Sequence, residues 1–229
     1  MPNPDIRLAA LDIAGTTVDE RGTVYRVMRD AIEQQTGRSV DDALISEWSG
    51  TGKREAIEGV LIALGEDAAR ADEVFARFSE DLGEAYRTDP PVLLPGVREA
   101  VETLRDHGVK VVLQTGYTRD VAEDLLETVG WSTASDLDGL VTVEDVTRSR
   151  PWPYLIFRAM ELAQVEDVRQ VLVAGDTVND VLAGTRAGAR HVVGVLSGAH
   201  TVAELGAAPH TRLLAGVQDV PALLGLFEG

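Results

Sequence analysis

The stretch that decides the fold is IRLAALDIAGTT, residues 6–17. A short apolar run from Ile6 to Leu11 comes first, and Asp12 stands directly after it. Gly15 follows within three residues and marks a tight turn. An apolar run of this length, closed by a glycine turn, is typical of a buried β-strand. We therefore predict a strand whose carboxyl end carries Asp12.

Three further apolar runs repeat this pattern of a strand followed by polar and glycine residues. They are Val109 to Leu113 before Thr115-Gly116, Val171 to Ala174 before Gly175-Asp176, and His191 to Leu196 before Ser197-Gly198. Helical patterns follow the first two, over 119–129 and 178–187. Strands that alternate with helices indicate an α/β fold with a doubly wound, Rossmann-like parallel sheet. Ligands bind beyond the carboxyl ends of such strands, where these polar residues lie.

The segment from about Val18 to Pro91 has helical periodicity and no clear strands. Its apolar residues form two helical faces. The faces consist of Val24, Val27, Met28, Ala31 and Ile32, and of Ile57, Val60, Leu61 and Leu64. We predict a helical cap, residues 18–92, inserted after the first strand of a core formed by residues 1–17 and 93–229.

Composition excludes several classes of protein. The 229 residues are 45% apolar, which is enough for a sizeable core, and they contain no cysteine, so disulfides, thiolate metal sites and thiol nucleophiles are excluded. A formal charge of −17 argues against nucleic acids and anionic membranes as partners. No apolar stretch approaches the roughly 18 residues of a membrane span, and no signal peptide is visible, so we expect a cytoplasmic protein.

Four elements far apart in the sequence converge if the strands lie side by side. They are Asp12, Thr115, Arg150 and the pair Asp176/Asp180. Two of the carboxylates suit Mg²⁺, a hydroxyl suits a phosphate oxygen, and a guanidinium stabilises a transferring phosphoryl group. Each residue alone has an ordinary explanation as a turn former, a helix cap or a surface charge. Their occurrence together, in order and at strand ends, favours phosphoryl chemistry.

The motifs resemble those of the haloacid dehalogenase superfamily, and more closely its phosphonoacetaldehyde hydrolase branch, over essentially the whole chain. The matching stretches are DIAGTT at 12–17, QTGYTR at 114–119, RSRPWP at 148–153 and GDTVND at 175–180. The branch has Ala where most of the superfamily's phosphatases have a second Asp, and this chain has Ala14 there. Arg150 stands where the superfamily usually has Lys.

The resemblance implies a role for each matching residue. Asp12 would be the nucleophile, acting with Lys53, Thr115 and Arg150. The residues implied for substrate binding are Ala14, Gly15, Thr16, Gly116, Tyr117 and Arg54. Those implied for a Mg²⁺ site are Asp12, Ala14, Asp176 and Asp180.

Ala14 and Lys53 belong together chemically. Ala14 cannot protonate a departing alcohol, a step worth about 10²–10⁴-fold in rate. A carbon–phosphorus bond beside a carbonyl needs no such acid if a lysine first forms an imine. Lys53 resembles the Schiff-base lysine of the branch, and it is one of only two lysines beside 19 arginines, which cannot form imines. Its pKa would have to fall to roughly 7–8, through burial, the helix N-terminus or a nearby cation such as Arg54.

Three functions therefore remain open at this stage. The first is Mg²⁺-dependent cleavage of a small 2-oxoalkylphosphonate, since Ala56 replaces a histidine of the branch and the region after Val195 is shorter, so that relatives of phosphonoacetaldehyde fit as well. The second is hydrolysis of a small phosphomonoester, with Lys53 only binding substrate. The third is silent phosphate binding. The four histidines show no metal-ligand spacing, and the resemblance allows a cap-mediated homodimer without establishing one.

Overall fold

The computed structural model describes residues 6–226 and contains a six-stranded, all-parallel sheet. Its strand order is β5-β4-β1-β6-β7-β8. The strands are β1 (Leu8–Leu11), β4 (Lys110–Gln114), β5 (Gly139–Val141), β6 (Val171–Gly175), β7 (His191–Val195) and β8 (Arg212–Leu214). The fold class and all four strands expected from the apolar runs are confirmed. The sequence analysis missed β5 and β8, which have only three residues each.

Helices cover both faces of the sheet, because successive strand residues point to opposite sides. Ala9 and Leu11 belong to one apolar cluster, and Leu8 and Ala10 to another. The first cluster includes residues of α5 (Val97–Asp106) and α6 (Arg119–Thr128), and the second includes residues of α7 (Tyr154–Ala163) and α8 (Val178–Ala187). The short helices α9 (Val202–Ala207) and α10 (Val220–Leu223) lie near the C-terminus of the described chain.

Four α-helices lie within residues 18–92, the segment predicted as a cap. They are α1 (Thr23–Thr36), α2 (Asp42–Glu47), α3 (Lys53–Ala63) and α4 (Ala71–Thr88). The predicted apolar faces of α1 and α3 are buried, apart from Leu64, which is partly buried at the end of α3.

A short antiparallel ribbon of β2 (Val18–Asp19) and β3 (Val92–Leu93) joins this helical segment to the sheet. The sequence analysis missed both strands, since two residues make no detectable pattern. Treating residues 18–92 as a separate cap stays a prediction, and residues 1–5 and 227–229 of the predicted core lie outside the described part. Among residues 6–226, no helix combines the length and apolarity needed to cross a membrane.

The register of the sheet brings three strand ends to one edge. Leu11 of β1 pairs with Leu113 of β4 and with Ala174 of β6. The residues that follow these partners therefore lie side by side, and the Asp12 N–H donates to the Ala174 carbonyl at 3.0 Å. This edge carries the motif residues.

Candidate active site

Three buried carboxylates form the centre of the site. Asp12 follows β1, Asp176 follows β6, and Asp180 lies in the first turn of α8. One oxygen from each lies within 4.8 Å of the others, and all three residues are at most 4% exposed. Burial is the main cause that raises the pKa of both Asp12 and Asp176, and the neighbouring carboxylates raise them further.

Arg150 supplies the compensating charge inside this cluster. Its guanidinium lies 2.8 Å from an Asp12 oxygen, pairs with Asp180, and is almost fully buried. The other Asp180 oxygen accepts from the Thr177 N–H at 3.1 Å in the box that caps α8. Asp180 therefore holds Arg150 within the cluster.

The residues present fit a divalent cation. The three carboxylates provide hard oxygen donors within 4.8 Å of one another, a spacing that suits a single ion. Burial, followed by the negative charges of Asp12 and Asp180, raises the pKa of Asp176 to about 8. A cation between Asp12 and Asp176 would stabilise both ionised forms. Ala14 has no side-chain oxygen, so its predicted contribution is limited to its backbone.

The turn after Asp12 fixes the position of Asp176. Gly15 has φ +76°, and a Cβ there would lie 2.5 Å from an Asp176 oxygen, so only glycine fits. The Thr16 hydroxyl donates to Asp176 at 3.0 Å, and the Ala199 N–H donates to its other oxygen at 2.6 Å. The Gly15 N–H donates to the Val18 carbonyl, so it is already used within the turn. The predicted substrate contacts of Gly15 and Thr16 stay predictions.

The second motif brings the core against the loop before α3. Thr115 is buried, and its hydroxyl oxygen accepts from the Tyr117 N–H at 3.2 Å, which leaves the hydroxyl proton free to donate. Gly116 lies so close to this loop that a Cβ would be 2.3 Å from the Thr51 carbonyl oxygen. The Lys53 N–H donates to the Gly116 carbonyl at 3.4 Å. Thr115, Tyr117 and Lys53 are thereby held at one place.

Lys53 is buried, with 7% of its surface exposed. Its Nζ lies 5.1 Å from the ring centre of Tyr25 and 5.3 Å from that of Tyr117, and it donates to the Thr51 carbonyl at 3.4 Å. Burial and then the positive charge of Arg150 lower the pKa of Lys53 to about 8, although the charges of Asp12, Glu20 and Asp180 act in the opposite direction.

Arg54 lines a cavity of about 360 Å³ with Lys53 and Gly116, but its guanidinium pairs with carboxylates outside the buried cluster. Successive helix residues point about 100° apart, so Arg54 faces outward when Lys53 faces inward. Its guanidinium pairs with Glu58 at 2.9 Å and with Asp72 at 2.6 Å, and the side chain is about half exposed. The cation that lowers the pKa of Lys53 is Arg150, so the expectation that Arg54 does so is wrong.

Gln114 and Ser149, two buried polar residues next to predicted ones, were missed in the sequence. The buried Ser149 hydroxyl, the Gln114 amide and the Arg150 Nε have no hydrogen-bond partner among the described residues. Buried polar atoms without partners are rare, and they fit a place where waters or a ligand bind. Gln114 and Ser149 adjoin predicted residues, so their position in the motifs was the available signal.

Glu20 and Tyr25 were missed as well. They line a cavity of about 260 Å³ together with Ala14 and Asp176. Nothing in the sequence marks either residue, because the packing of distant segments brings them to the site.

Comparisons with known proteins place this chain in one family. Residues 6–188 match the model of the haloacid dehalogenase-like hydrolases. A phosphonoacetaldehyde hydrolase of Bacillus cereus is 31% identical over 84% of this chain and 76% of its own length. One from Parabacteroides distasonis is 33% identical over 51% of this chain, and the match spans only 43% of that protein.

Solved structures agree with the fold. A phosphonoacetaldehyde hydrolase like protein from Oleispira antarctica superposes with a TM-score of 0.84 over 97% of this chain and 92% of its own, at 21% identity. A putative phosphoglycolate phosphatase from Lactobacillus plantarum has a TM-score of 0.76 over 96% and 98%, at 19% identity. The chain belongs to the haloacid dehalogenase-like hydrolases. Within this family it is similar to the phosphonoacetaldehyde hydrolases.

Proposed function

We propose that this hydrolase cleaves the carbon–phosphorus bond of a small 2-oxoalkylphosphonate, phosphonoacetaldehyde or a close relative. The observation that carries the proposal is the buried amine of Lys53, whose pKa is lowered to about 8, in a site where Ala14 replaces the usual acid. A solvated lysine that only binds an anion needs neither burial nor a lowered pKa. A lysine that attacks a carbonyl near neutral pH needs its free amine.

The reaction then proceeds in two covalent stages. The Lys53 amine bonds to the carbonyl carbon, and water leaves to give an iminium ion. Asp12 attacks phosphorus, and the electrons of the breaking carbon–phosphorus bond move to carbon, which leaves as a neutral enamine. Water then cleaves the aspartyl phosphate to release phosphate. The enamine takes up a proton, and hydrolysis of the resulting imine frees the aldehyde and Lys53.

The other site residues assist the phosphoryl transfer. A Mg²⁺ ion held by Asp12, Asp176 and the backbone of Ala14 would neutralise negative charge on the phosphonate oxygens. Arg150 stabilises the same charge and is positioned for this by Asp180. The Thr115 hydroxyl has a free proton to donate to a phosphonate oxygen. The unpartnered Ser149 hydroxyl and Arg150 Nε are further donors for this anion.

The experiment measures phosphate release with Mg²⁺ from phosphonoacetaldehyde and from phosphoglycolate, for the wild type and for Lys53→Arg. We expect wild-type release from the phosphonate and loss of at least about 10³-fold in Lys53→Arg, which keeps the charge but cannot form an imine. Lys110→Arg is the matched control and should retain full activity, because Lys110 pairs with Asp138 on the surface.

The alternatives predict different results. A phosphatase would release phosphate from phosphoglycolate in both proteins and none from the phosphonate. A silent phosphate-binding protein would release none from either substrate. Each of these two outcomes overturns the proposal.

A further inference from the structure

Two tyrosine rings face the amine that the proposed reaction uses. The Lys53 Nζ lies over the Tyr25 ring, 5.1 Å from its centre, and over the Tyr117 ring, 5.3 Å from its centre. Both distances are within the roughly 6 Å over which an aromatic ring attracts a cation. The Nζ donates to the Thr51 carbonyl at 3.4 Å, and among the described residues no carboxylate forms an ion pair with it. The rings are therefore the groups that would act most directly on a positive charge at this nitrogen.

Tyr25 of α1 is held in place by the loop that precedes Lys53. Its hydroxyl oxygen accepts from the Gly50 N–H at 2.9 Å. Gly50 has φ +80°, and a Cβ there would clash with the side chain of Thr177, so only glycine fits this turn. Thr177 is the N-cap of α8. The Tyr25 ring is thus fixed relative to both the lysine and the sheet.

Tyr117 is held by a pair of hydroxyl groups. Its hydroxyl lies 2.9 Å from the Tyr86 hydroxyl of α4, and only 2% of Tyr117 is exposed. Its N–H donates to the Thr115 hydroxyl oxygen at 3.2 Å. Both tyrosine hydroxyls therefore have partners away from the lysine, while the faces of the rings meet its amine.

The proposed reaction makes two opposite demands on this nitrogen. The amine must be free to attack, and burial together with the charge of Arg150 lowers the pKa of Lys53 to about 8. The same burial disfavours the positive charge of the iminium ion. A neutral imine accepts the electrons of the carbon–phosphorus bond poorly, so the cation has to be stabilised where it forms.

A ring face meets this requirement. Its quadrupole attracts a cation, and the attraction is stronger where water is excluded than at the surface. It does not attract a neutral amine in this way. Tyr25 also lines the 260 Å³ cavity with Ala14 and Asp176, so the same side chain borders the space beside the carboxylates.

We infer that Tyr25, together with Tyr117, stabilises the iminium ion that forms on Lys53. This inference rests on the proposed carbonyl chemistry. Starting from the ammonium, the nitrogen forms a double bond to the carbonyl carbon and gives up two protons. The carbonyl oxygen takes these two protons and leaves as water, as both of its bonds to carbon break. One positive charge is on the nitrogen before and after this step.

The test compares the wild type with Tyr25→Leu in the complete protein. The probe is acetaldehyde with cyanoborohydride, which contains no phosphorus, so the readout is independent of phosphoryl transfer. The initial labelling rate of Lys53, measured by peptide mass spectrometry, reports the amount of iminium ion. At pH 9 we expect about tenfold slower labelling in Tyr25→Leu, because one of the two ring contacts is lost.

The pH dependence separates this role from a structural one. At pH 9 most of Lys53 is free amine, so forming the iminium ion creates a charge that the Tyr25 ring stabilises. At pH 6 most of it is ammonium, and the ring stabilises the charge both before and after the reaction, so the two proteins should label alike. The charged groups that act on Lys53 are the same in both proteins, namely Arg150, Asp12, Glu20 and Asp180.

Tyr154→Leu is the matched control, because Tyr154 is exposed on α7 and lies outside the site. It should label at the wild-type rate at both pH values. Phenylalanines with one to three ring fluorines, placed at position 25, keep the shape of the ring and weaken its negative face step by step. Relative to Tyr25→Phe, they should slow labelling at pH 9 progressively. This series keeps the inference testable if Tyr25→Leu does not fold.

The outcomes distinguish the inference from the proposed function. Equal labelling of wild type and Tyr25→Leu at pH 9, an equal loss at both pH values, or no trend with fluorination would overturn the inference and leave the proposed function intact. No labelling of Lys53 in the wild type, by acetaldehyde or by phosphonoacetaldehyde, would overturn the proposed function itself.

Discussion

At the scale of single residues, the site buries charged side chains, whose desolvation is unfavourable. It also contains the ion-pair and hydrogen-bond partners that stabilise most of them. Asp12 and Asp180 share Arg150, whereas Asp176 is held by Thr16 and the Ala199 N–H. Lys53 has aromatic rings on two sides and no carboxylate in direct contact among the described residues. The environment of Lys53 therefore favours the neutral amine. The environment of Asp12, Asp176 and Asp180 favours a bound cation.

The pKa of Lys53 can be measured directly, because the chain has only one other lysine. Competitive labelling with acetic anhydride over pH 6–11, followed by peptide mass spectrometry, should give Lys53 a midpoint near pH 8. Burial destabilises the ammonium, so the free amine forms at a lower pH than the usual lysine pKa of 10.5 would give. Exposed Lys110 is the internal reference. A Lys53 midpoint above 10 would contradict this interpretation.

The ionisation of Asp176 should make the thermal stability of the protein depend on pH and on bound metal. Its pKa is raised to about 8 in the folded protein, from an ordinary value near 3.8. The folded state therefore binds more protons than the unfolded state between these values, and stability without metal should fall as pH rises from about 4 to 8. Asp176→Asn removes this ionisation, so it should raise the thermal midpoint at pH 8 without Mg²⁺ by a few degrees.

The same variant should lose the upward shift of the thermal midpoint that Mg²⁺ gives the wild type at pH 8. Calorimetry with Mg²⁺ or with a chelator provides the measurement. A Mg²⁺-induced shift of wild-type size in Asp176→Asn would show that the cation is held elsewhere.

Sequence predicted the motif residues because each has a fixed relation to a strand end. Asp12, Thr115 and Asp176 follow apolar runs that pair in the sheet, so their meeting follows from the register. Glu20 and Tyr25 could not be predicted in this way. They come from a loop and a helix whose packing against the sheet has no signature in the sequence.

At the scale of elements, the length of an apolar run or helical face decided whether a strand or helix could be predicted from the sequence. Four long runs gave β1, β4, β6 and β7, and the apolar faces of α1 and α3 matched their buried residues. The strands β2, β3, β5 and β8 have two or three residues each and were missed. The strands β5 and β8 each pair with a five-residue neighbour, whereas β2 and β3 pair with each other.

Two helix glycines provide a contrast within the helical segment. A Cβ at Gly59 of α3 would lie 2.0 Å from the Trp48 ring, whereas one at Gly83 of α4 would meet only the end of Arg87 at 3.5 Å. Gly59→Ala should therefore destabilise the protein by about 1–3 kcal/mol through overpacking. Gly83→Ala should stabilise it by roughly 0.5–1 kcal/mol, because alanine favours a helix.

Urea unfolding of both variants measures these effects. Equal stabilisation by the two substitutions would show that Trp48 does not rest on α3 in solution. If neither substitution changed the free energy of unfolding, the positions of the two glycines would not influence the stability of this segment.

At the scale of the whole molecule, the docking of residues 46–53 on the sheet completes the site. The Asn179 amide of α8 donates to the Ser49 carbonyl at 2.7 Å, and the Ser46 hydroxyl lies 3.2 Å from the His200 ring. His200 is a buried structural residue, because its other ring nitrogen accepts from the Val178 N–H. Asn179 and His200 thus hold the loop that carries Lys53 over the carboxylates. Periodicity predicted α1 and α3 but not where the loop before α3 docks.

Loss of this docking should affect catalysis more than stability. Asn179→Ala should lower kcat/KM about tenfold, since a small displacement of Lys53 separates it from the bound carbonyl. The unfolding free energy should fall by only about 1 kcal/mol, the value of one hydrogen bond. Thr185→Ala is the matched control on the same helix, because Thr185 donates to the Pro209 carbonyl without touching residues 46–53. Equal losses of kcat/KM in both variants would contradict a specific role of docking.

Reductive trapping of the imine shows directly whether Lys53 forms a Schiff base with the substrate. The protein is incubated with phosphonoacetaldehyde and Mg²⁺, borohydride is added, and the two lysine-containing peptides are examined by mass spectrometry. We expect a reduced adduct on Lys53 and none on Lys110. Phosphate release should be lost in proportion to the labelling of Lys53. Phosphate release from the phosphonate with Lys53 unmodified would contradict this expectation.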